Sequence, residues 1–301
     1  MTPKDFLNFI RWKNVLIIAL VMLLTKFVLF EKFELNVALD SIHYALLTIS
    51  TICVAIAGYI INDIHDIKAD RINKPDRIYV GKKISRVSAY NLFIAFNAAG
   101  LLLGMYLSYH VRHTSYFILY VITSLLLYQY ARQLKKKFLV GNLIVSFAVF
   151  LSIILPAVFD LLPVTSKLNE QVQMIAFRLV ALFALFGFFL TLVREIVKDM
   201  EDLKGDLEMD VRSLPVVLGT SKTKAFVVGI TLLLFLAVLF FAYMLMDFDL
   251  YASVYLGAFV AIPLLYFVYV LWKASDKEEL HKSSSILKVV MLMGILTILL
   301  I

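Results

Sequence analysis

The stretch from Ser41 to Asp70, SIHYALLTISTICVAIAGYIINDIHDIKAD, joins an apolar run at 41–61 to a D-x-x-D-x-x-x-D cluster made by Asp63, Asp66 and Asp70. An apolar run of about 20 residues is long enough to cross a bilayer core as a helix. Carboxylates at the end of such a run are costly unless they line a polar cavity or coordinate something. The same order returns 136 residues later, with an apolar run at 174–195 leading into DMEDLKGD from Asp199 to Asp206. A single acidic cluster is most simply a solvated loop. Recurrence after the second and the sixth apolar run indicates instead an internally duplicated helical architecture with its site between the halves.

The rest of the chain has the same character, with 62% hydrophobic residues and a mean hydropathy of +0.89 over 301 residues. Further membrane-length runs lie near 14–31, 88–109, 114–130, 138–163, 224–247, 251–272 and 286–301, which makes about nine. The fold class is therefore an all-α polytopic membrane protein, read as one membrane-embedded domain over 1–301. Basic residues gather in alternate loops: Lys4, Arg11 and Lys13; Lys68 through Arg86; Arg132 to Lys137; Lys198 through Lys224; Lys273 through Lys288. The positive-inside rule then puts the amino terminus and both acidic motifs on the cytoplasmic side of a multi-pass protein, in the plasma membrane if the source is prokaryotic. That orientation accounts for the net charge of +7 without nucleic acid as a partner. Cys53 is the one cysteine, so no internal disulfide forms. No small-residue cleavage site follows Phe30, which reads as a retained first span and not as a signal peptide.

At 100° per residue, Asn62, Asp63, Asp66 and Asp70 fall within about a 100° arc of an ideal helix. Asp199, Asp202 and Asp206 repeat the arrangement, while Lys68 and Lys204 point away in the two copies. Like charges at these spacings repel and raise one another's pKa, so the clusters call for cations. Oxygen-only ligands indicate a hard ion, Mg²⁺ before Ca²⁺ or Zn²⁺. Mg²⁺ commonly takes one or two carboxylates, keeps waters and borrows substrate phosphate oxygens. Two such clusters suggest metal ions clamping a diphosphate. Arg71, Lys74, Arg77, Lys82 and Lys83 follow the first cluster, and Arg194 and Arg212 flank the second. Guanidinium and ammonium groups there suit a polyanion, although cytoplasmic loops collect Lys and Arg in any case.

These residues resemble the UbiA superfamily of intramembrane prenyltransferases. The family's N-x-x-x-D-x-x-x-D is matched by Asn62, Asp66 and Asp70, and its second motif, ending D-x-x-x-D, by Asp202 and Asp206. YARQLKKKFLVGN, from Tyr130 to Asn142, is similar to the family's Y-x-x-x-L-K followed by G-N. The resemblance implies a helical bundle around a central cavity and Mg²⁺-dependent transfer of a prenyl group from a polyprenyl diphosphate to a lipophilic acceptor in or beside membrane lipid. Asn62, Asp66, Asp70, Asp202 and Asp206 would hold the diphosphate through Mg²⁺, with Asp63 and Asp199 as supporting ligands by the repeat. Lys135 would touch the diphosphate and Tyr130 would border the reacting carbon. REIVKDMEDLKGD followed by RSLPVVLG most resembles the branch that makes digeranylgeranylglyceryl phosphate, using a geranylgeranyl donor. The K-D-x-x-D-x-x-G-D form also occurs in homogentisate prenyltransferases, so an aromatic quinone precursor ranks second and haem or chlorin third. The segment IYVGKK after Arg77 departs from the proline-containing turn common in relatives.

Two other classes fit less well. CDP-alcohol phosphotransferases carry a D-G-x-x-A-R element that neither motif contains. A transporter would show isolated intramembrane carboxylates and broken spans, whereas these acids sit at helix ends. His43, His65, His110, His113 and His281 share no metal-ligand spacing.

Overall fold

The computed structural model describes residues 1–73 and 78–301. Among them the only extended pairing is a single bridge between Val80 and Ile84; the regular elements are helices. Helix α1 (Pro3–Phe9) opens on a capping box, in which the Thr2 hydroxyl accepts from the Asp5 amide and the Asp5 carboxylate accepts from the Thr2 amide. Arg11, in the left-handed region at φ 55°, turns the chain into α2 (Trp12–Leu24), which continues through a π-helical turn at Thr25–Phe30. Then come α3 (Ser41–His65), capped by Asp40, the short α4 (Ile67–Asn73), α5 (Arg86–His110), capped by Ser85, and α6 (Phe117–Arg132). The remainder comprises α7 (Val140–Pro156), α8 (Glu170–Glu201), α9 (Leu203–Glu208), α10 (Leu214–Leu218), α11 (Thr220–Leu245), α12 (Leu250–Leu256), α13 (Ile262–Lys273) and α14 (Lys277–Leu296). Pro156 and Pro263 adjoin π-helical turns at Ala157–Leu161 and Gly257–Ala261, as prolines that interrupt the helical ladder should.

Eight helical segments among the described residues are long and apolar enough to cross a membrane, and the protein is an integral, multi-pass membrane protein. The ninth run, expected at 114–130, is α6, whose 16 residues follow a 3₁₀ turn at Thr114–Tyr116. At a rise of 1.5 Å per residue α6 alone measures about 24 Å, and with the contiguous 3₁₀ turn at about 2 Å per residue the segment reaches about 30 Å, the thickness of the hydrocarbon core, consistent with about nine spans.

The chain divides into two compact units, Met1–Lys135 with Leu151–Ala181, and Lys136–Phe150 with Leu182–Ile301. In the first, α3 is the inner helix, with Tyr44, Leu47, Ile60, Ile61 and Ile64 buried. Helix α5 approaches α3 closely at Gly100 and α6 closely at Gly104, because neither residue carries a side chain. A Cβ at Gly100 would lie 2.6 Å from Val54, and one at Gly104 2.6 Å from the Tyr120 ring. Small residues spaced in this way let membrane helices pack backbone to backbone. At the motif end of α3, Phe9, Ile56, Ile60, Ile61, Ile64, Val80, Ala89 and Ala131 form one apolar cluster. Full burial of a side chain such as Phe9 is worth about 1.5–3 kcal/mol.

The same unit holds a buried ion pair that the sequence reading passed over. Lys26 Nζ donates to Asp160 Oδ2 at 2.7 Å and to the Leu39 carbonyl at 2.8 Å, while Asp160 Oδ1 accepts from the Leu39 amide at 2.7 Å. Both residues lie in π-helical turns and are nearly inaccessible.

In the second unit, Val193, Ile196 and Val197 of α8 belong to one core with Val227 of α11, Leu264, Phe267 and Leu271 of α13, and Leu287 and Val290 of α14. Leu233, Phe240 and Tyr243 of α11 stay exposed, as a lipid-facing surface requires.

Candidate active site

The sequence repeat is also a repeat of backbone geometry. Helix α3 stops at His65, and Asp66 stands between α3 and α4 with φ −89° and ψ 2°. Helix α8 stops at Glu201, and Asp202 stands between α8 and α9 with φ −101° and ψ 9°. In both copies the middle aspartate occupies the sparsely used bridge region, where active-site residues are often found. At each break one hydrogen bond closes the first helix on the aspartate and the next one opens the second helix from it. Asp66 N donates to Asn62 O at 2.9 Å and Asp70 N to Asp66 O at 2.8 Å; Asp202 N donates to Lys198 O at 2.9 Å and Asp206 N to Asp202 O at 3.1 Å. The carboxylates thus follow the end of a long helix and a short second helix at each site instead of one ideal helix. A one-residue departure of this kind is invisible to a 100° periodicity. Lys68 and Lys204 are exposed, as the helical spacing predicts.

Around the first motif, the one-turn 3₁₀ helix Leu134–Lys136 that follows α6 carries Lys135 to the carboxylates. Lys135 Nζ pairs with Asp66 Oδ1 and stands 3.4 Å from Asn62 Oδ1. Tyr130, from the same Y-x-x-x-L-K element, is half-buried against the Ile60, Ile61 and Ile64 cluster. Arg11 Nη2 donates to Asp63 Oδ1 at 2.8 Å, and its guanidinium carbon lies 4.7 Å above the Tyr59 ring. Asp5 anchors α1 nearby by accepting from Lys83 Nζ at 2.6 Å. That bond and the one from Thr2 pull the Asp5 carboxyl down to about 2. Arg71 is exposed, and Asp70 is half-buried. Lys74 and Arg77 lie outside the described residues.

Around the second motif, Asn142 Nδ2 donates to Asp199 Oδ2 at 2.8 Å. Asp63 and Asp199 are equivalent in the repeat but differ in partner: a cation answers the first and a neutral amide the second. Lys277 Nζ stands 4.0 Å from Asp202 Oδ1, and His281 Nδ1 3.1 Å from Glu201 Oε2. The amide of Arg212 donates to the Lys136 carbonyl at 3.0 Å, while the Arg212 side chain is exposed. Sequence reasoning had no route to Arg11, which is 52 residues from Asp63, or to a role for Asn142, although Asn142 closes the G-N element.

Both donor sets are oxygen-only and suit a hard divalent cation. The seat of Lys135 on Asp66 and Asn62 shows that these oxygens accept positive charge. Among the described residues no three His, Cys, Asp or Glu side chains converge into a cage. An ion that retains waters and shares phosphate oxygens needs none.

The sequence profile of the UbiA prenyltransferase family matches residues 33–289. The chain belongs to that family. A digeranylgeranylglyceryl phosphate synthase of Sulfurisphaera tokodaii is 33% identical over 242 residues, which cover 78% of this chain and 77% of that one. A solved structure concerned with digeranylgeranylglyceryl phosphate synthase in membranes covers 98% of each chain at 27% identity, with a TM-score of 0.66. A UbiA homologue from Archaeoglobus fulgidus, solved with GPP and Mg²⁺ bound, covers 98% of this chain and 99% of its own at 14% identity and a TM-score of 0.57, and so shares the fold. The protein is therefore a prenyltransferase, and the breaks at Asp66 and Asp202 belong to a UbiA chain.

Proposed function

We propose that this UbiA prenyltransferase transfers the geranylgeranyl group of geranylgeranyl diphosphate to the free hydroxyl of geranylgeranylglyceryl phosphate, on the cytoplasmic side of the membrane and within a single catalytic domain. The observation that carries the reading is Lys135, which the fold brings onto Asp66 and Asn62 from 69 and 73 residues away, so that a cation and a carboxylate motif meet in an apolar protein. The choice of acceptor is supported by the name of the Sulfurisphaera tokodaii relative.

Asn62, Asp66 and Asp70 of the first motif and Asp202 and Asp206 of the second would hold Mg²⁺ and, through it, the diphosphate, with Asp63 and Asp199 in support. When bound, Mg²⁺ supplies charge stabilisation for the leaving diphosphate. Lys135 contributes a further cation at the same oxygens, while Arg71, Lys74, Arg77 and Arg212 draw the polyanion in. Asp63 and Asp199 are held by Arg11 and Asn142, which keeps the neighbouring carboxylates in place. Tyr130 presents an aromatic face to the allylic carbon, where positive charge develops as the carbon–oxygen bond breaks. The apolar helices keep water from that cation until the acceptor hydroxyl attacks it. One carbon–oxygen bond is broken, one ether bond is formed, and diphosphate and a proton leave.

The test is a transfer assay in detergent with Mg²⁺, radiolabelled geranylgeranyl diphosphate, and geranylgeranylglyceryl phosphate and homogentisate as competing acceptors. A labelled diether phosphate that disappears with EDTA, and in Asp66→Ala and Asp202→Ala, is the expected result. A labelled aromatic product would keep the transfer chemistry and overturn the acceptor.

A further inference from the structure

Residues 1–16 and 79–90 carry six basic side chains, Lys4, Arg11, Lys13, Lys82, Lys83 and Arg86, against a single acidic one, Asp5. The fold gathers these segments around one apolar cluster. Phe9 of α1, Val80 of the turn before α5 and Ala89 of α5 belong to it, and Val15 of α2 packs against it. Lys83 Nζ donates to Asp5 Oδ1 at 2.6 Å and Arg11 Nη2 to Asp63 Oδ1 at 2.8 Å, so these two cations are answered by carboxylates. Lys4, Lys13 and Arg86 are exposed and have no carboxylate partner among the described residues. Two of them adjoin aromatic rings: Lys13 Nζ lies 5.9 Å from the ring centroid of Trp12, and Arg86 Cζ 5.9 Å from that of Tyr90. Large apolar side chains are exposed in the same segments, namely Leu7, Trp12, Leu16 and Val87.

Cations at the ends of spans follow from membrane orientation, and alone they indicate no ligand. The exposed apolar side chains beside them narrow the choice. Trp12 and Arg86 begin two of the membrane-length helical segments, Trp12–Phe30 and Arg86–His110, so the patch stands at the membrane surface on the side of the first motif. A soluble phosphate would be complemented by the cations but would leave Leu7, Trp12, Leu16 and Val87 in water. A lipid offers a phosphate and acyl chains together, and long basic side chains at helix ends reach the head groups while their stems lie on apolar surface. We infer that this face binds anionic lipid head groups of the adjoining leaflet, with Lys13 and Arg86 on the phosphates and Trp12 and Leu16 against the acyl chains. Arg11, between α1 and α2, bonds Asp63. Lipid that holds the start of α2 therefore also steadies a carboxylate of the first motif.

Trp12 and Trp272 are the two tryptophans of the chain, so Trp272→Phe leaves Trp12 as the single indole emitter. The experiment is Trp12 fluorescence of this full-length variant in mixed bilayers of phosphatidylglycerol and phosphatidylcholine, with acyl-chain bromine carried by one lipid or the other as quencher. Brominated phosphatidylglycerol should quench more strongly, with a relative association constant of about five or more, the share of one Lys or Arg beside an anionic surface. Adding Lys13→Gln and Arg86→Gln should bring that constant to within about twofold of parity. High salt should lower it, and inorganic phosphate should lower it no further than chloride at equal ionic strength. Equal quenching by the two lipids before those changes overturns the inference. So does a preference that survives Lys13→Gln and Arg86→Gln, which would seat the lipid elsewhere. A preference that inorganic phosphate removes and chloride does not would give the patch to a soluble anion and overturn the lipid as its occupant. Should that protein fail to fold, Lys4→Gln with Lys13→Gln, both on exposed side chains, reads the same preference.

Discussion

Replacing Lys135 with Met tests the first carboxylate site directly, because two effects with opposite signs are expected. Lys135 pairs with Asp66 Oδ1 and stands 3.4 Å from Asn62 Oδ1. Its side chain is only 16% exposed and that of Asp66 22%, so solvent screens the pair only in part. At an effective dielectric constant near 20, unit charges in contact interact by about 4 kcal/mol, an upper figure before desolvation is subtracted. The ammonium competes with any divalent cation for that carboxylate, so its removal should lower the Mg²⁺ concentration needed for half-maximal activity several-fold. It also removes a fixed positive charge from the leaving diphosphate. Loss of one such stabilising group costs about 10²–10³ in rate, or roughly 2.7–4 kcal/mol. The assay is donor turnover in detergent at saturating acceptor, titrated with Mg²⁺ and with donor in turn. The expected outcome is a kcat/KM for donor lowered by about 10²–10³ together with a leftward Mg²⁺ curve. A kcat/KM within threefold of wild type, or a Mg²⁺ curve displaced to the right, would refute the placement of Lys135 among the diphosphate's ligands.

Lys26→Met leaves the Asp160 carboxylate buried without its cation and should destabilise the protein by about 3–5 kcal/mol; Lys26→Met/Asp160→Leu should recover much of this, and additive losses in thermal unfolding would show that the pair is not coupled. Gly104→Leu drives a side chain into the Tyr120 ring, where even a Cβ lies at 2.6 Å, and should cost about 1–3 kcal/mol, whereas a melting temperature equal to wild type would mean that α5 stands further from α6. The Asp5 carboxyl has a folded-state pKa of about 2, below its usual 3.8, so its bond to Lys83 stabilises the fold above pH 3.8 and is lost as the pH falls toward 2. Protection of residues 3–9 from hydrogen exchange, measured against the intrinsic rate at each pH, should fall over that window in wild type, and Lys83→Met should reduce the pH dependence, leaving the part due to Thr2; equal dependence in both proteins would remove the Asp5–Lys83 contact as its source.

The spans and both acidic motifs were legible because hydropathy over 20 residues and carboxylates in an apolar chain are strong local signals. The duplication was legible too, since Asp63, Asp66 and Asp70 and their counterparts are equally spaced. The breaks at Asp66 and Asp202 were not. A single bridge-region residue leaves the i to i−4 bonds on either side intact, so the sequence pattern continues through it. The family resemblance gave Lys135 as a contact of the diphosphate but not its pairing with Asp66, and no spacing rule reaches across 69 residues. Arg11 escaped because a basic residue near an amino terminus reads first as an orientation signal, and its left-handed backbone, which aims it at Asp63, leaves no mark in composition. Lys26 and Asp160 could have been found: each is a lone charge inside an apolar run, and opposite lone charges in two spans are natural partners.

That pair bears on how the protein is made. Lys26 lies in the first membrane helix and its partner comes 134 residues later. At a synthesis rate of about 5–20 residues per second, roughly 7–27 seconds separate the two leaving the ribosome. During that interval the first helix carries an unanswered ammonium, which is costly in lipid and is relieved when the side chain reaches toward the interface or the helix waits beside the insertion machinery. The arrival of Asp160 removes the charge from lipid and secures the Leu39 turn in the same event, so the membrane entry of the first helix is completed by the fifth run of the chain. Nascent chains stalled before residue 160 should therefore leave Lys26 open to an amine-reactive reagent, and chains stalled well beyond it should not.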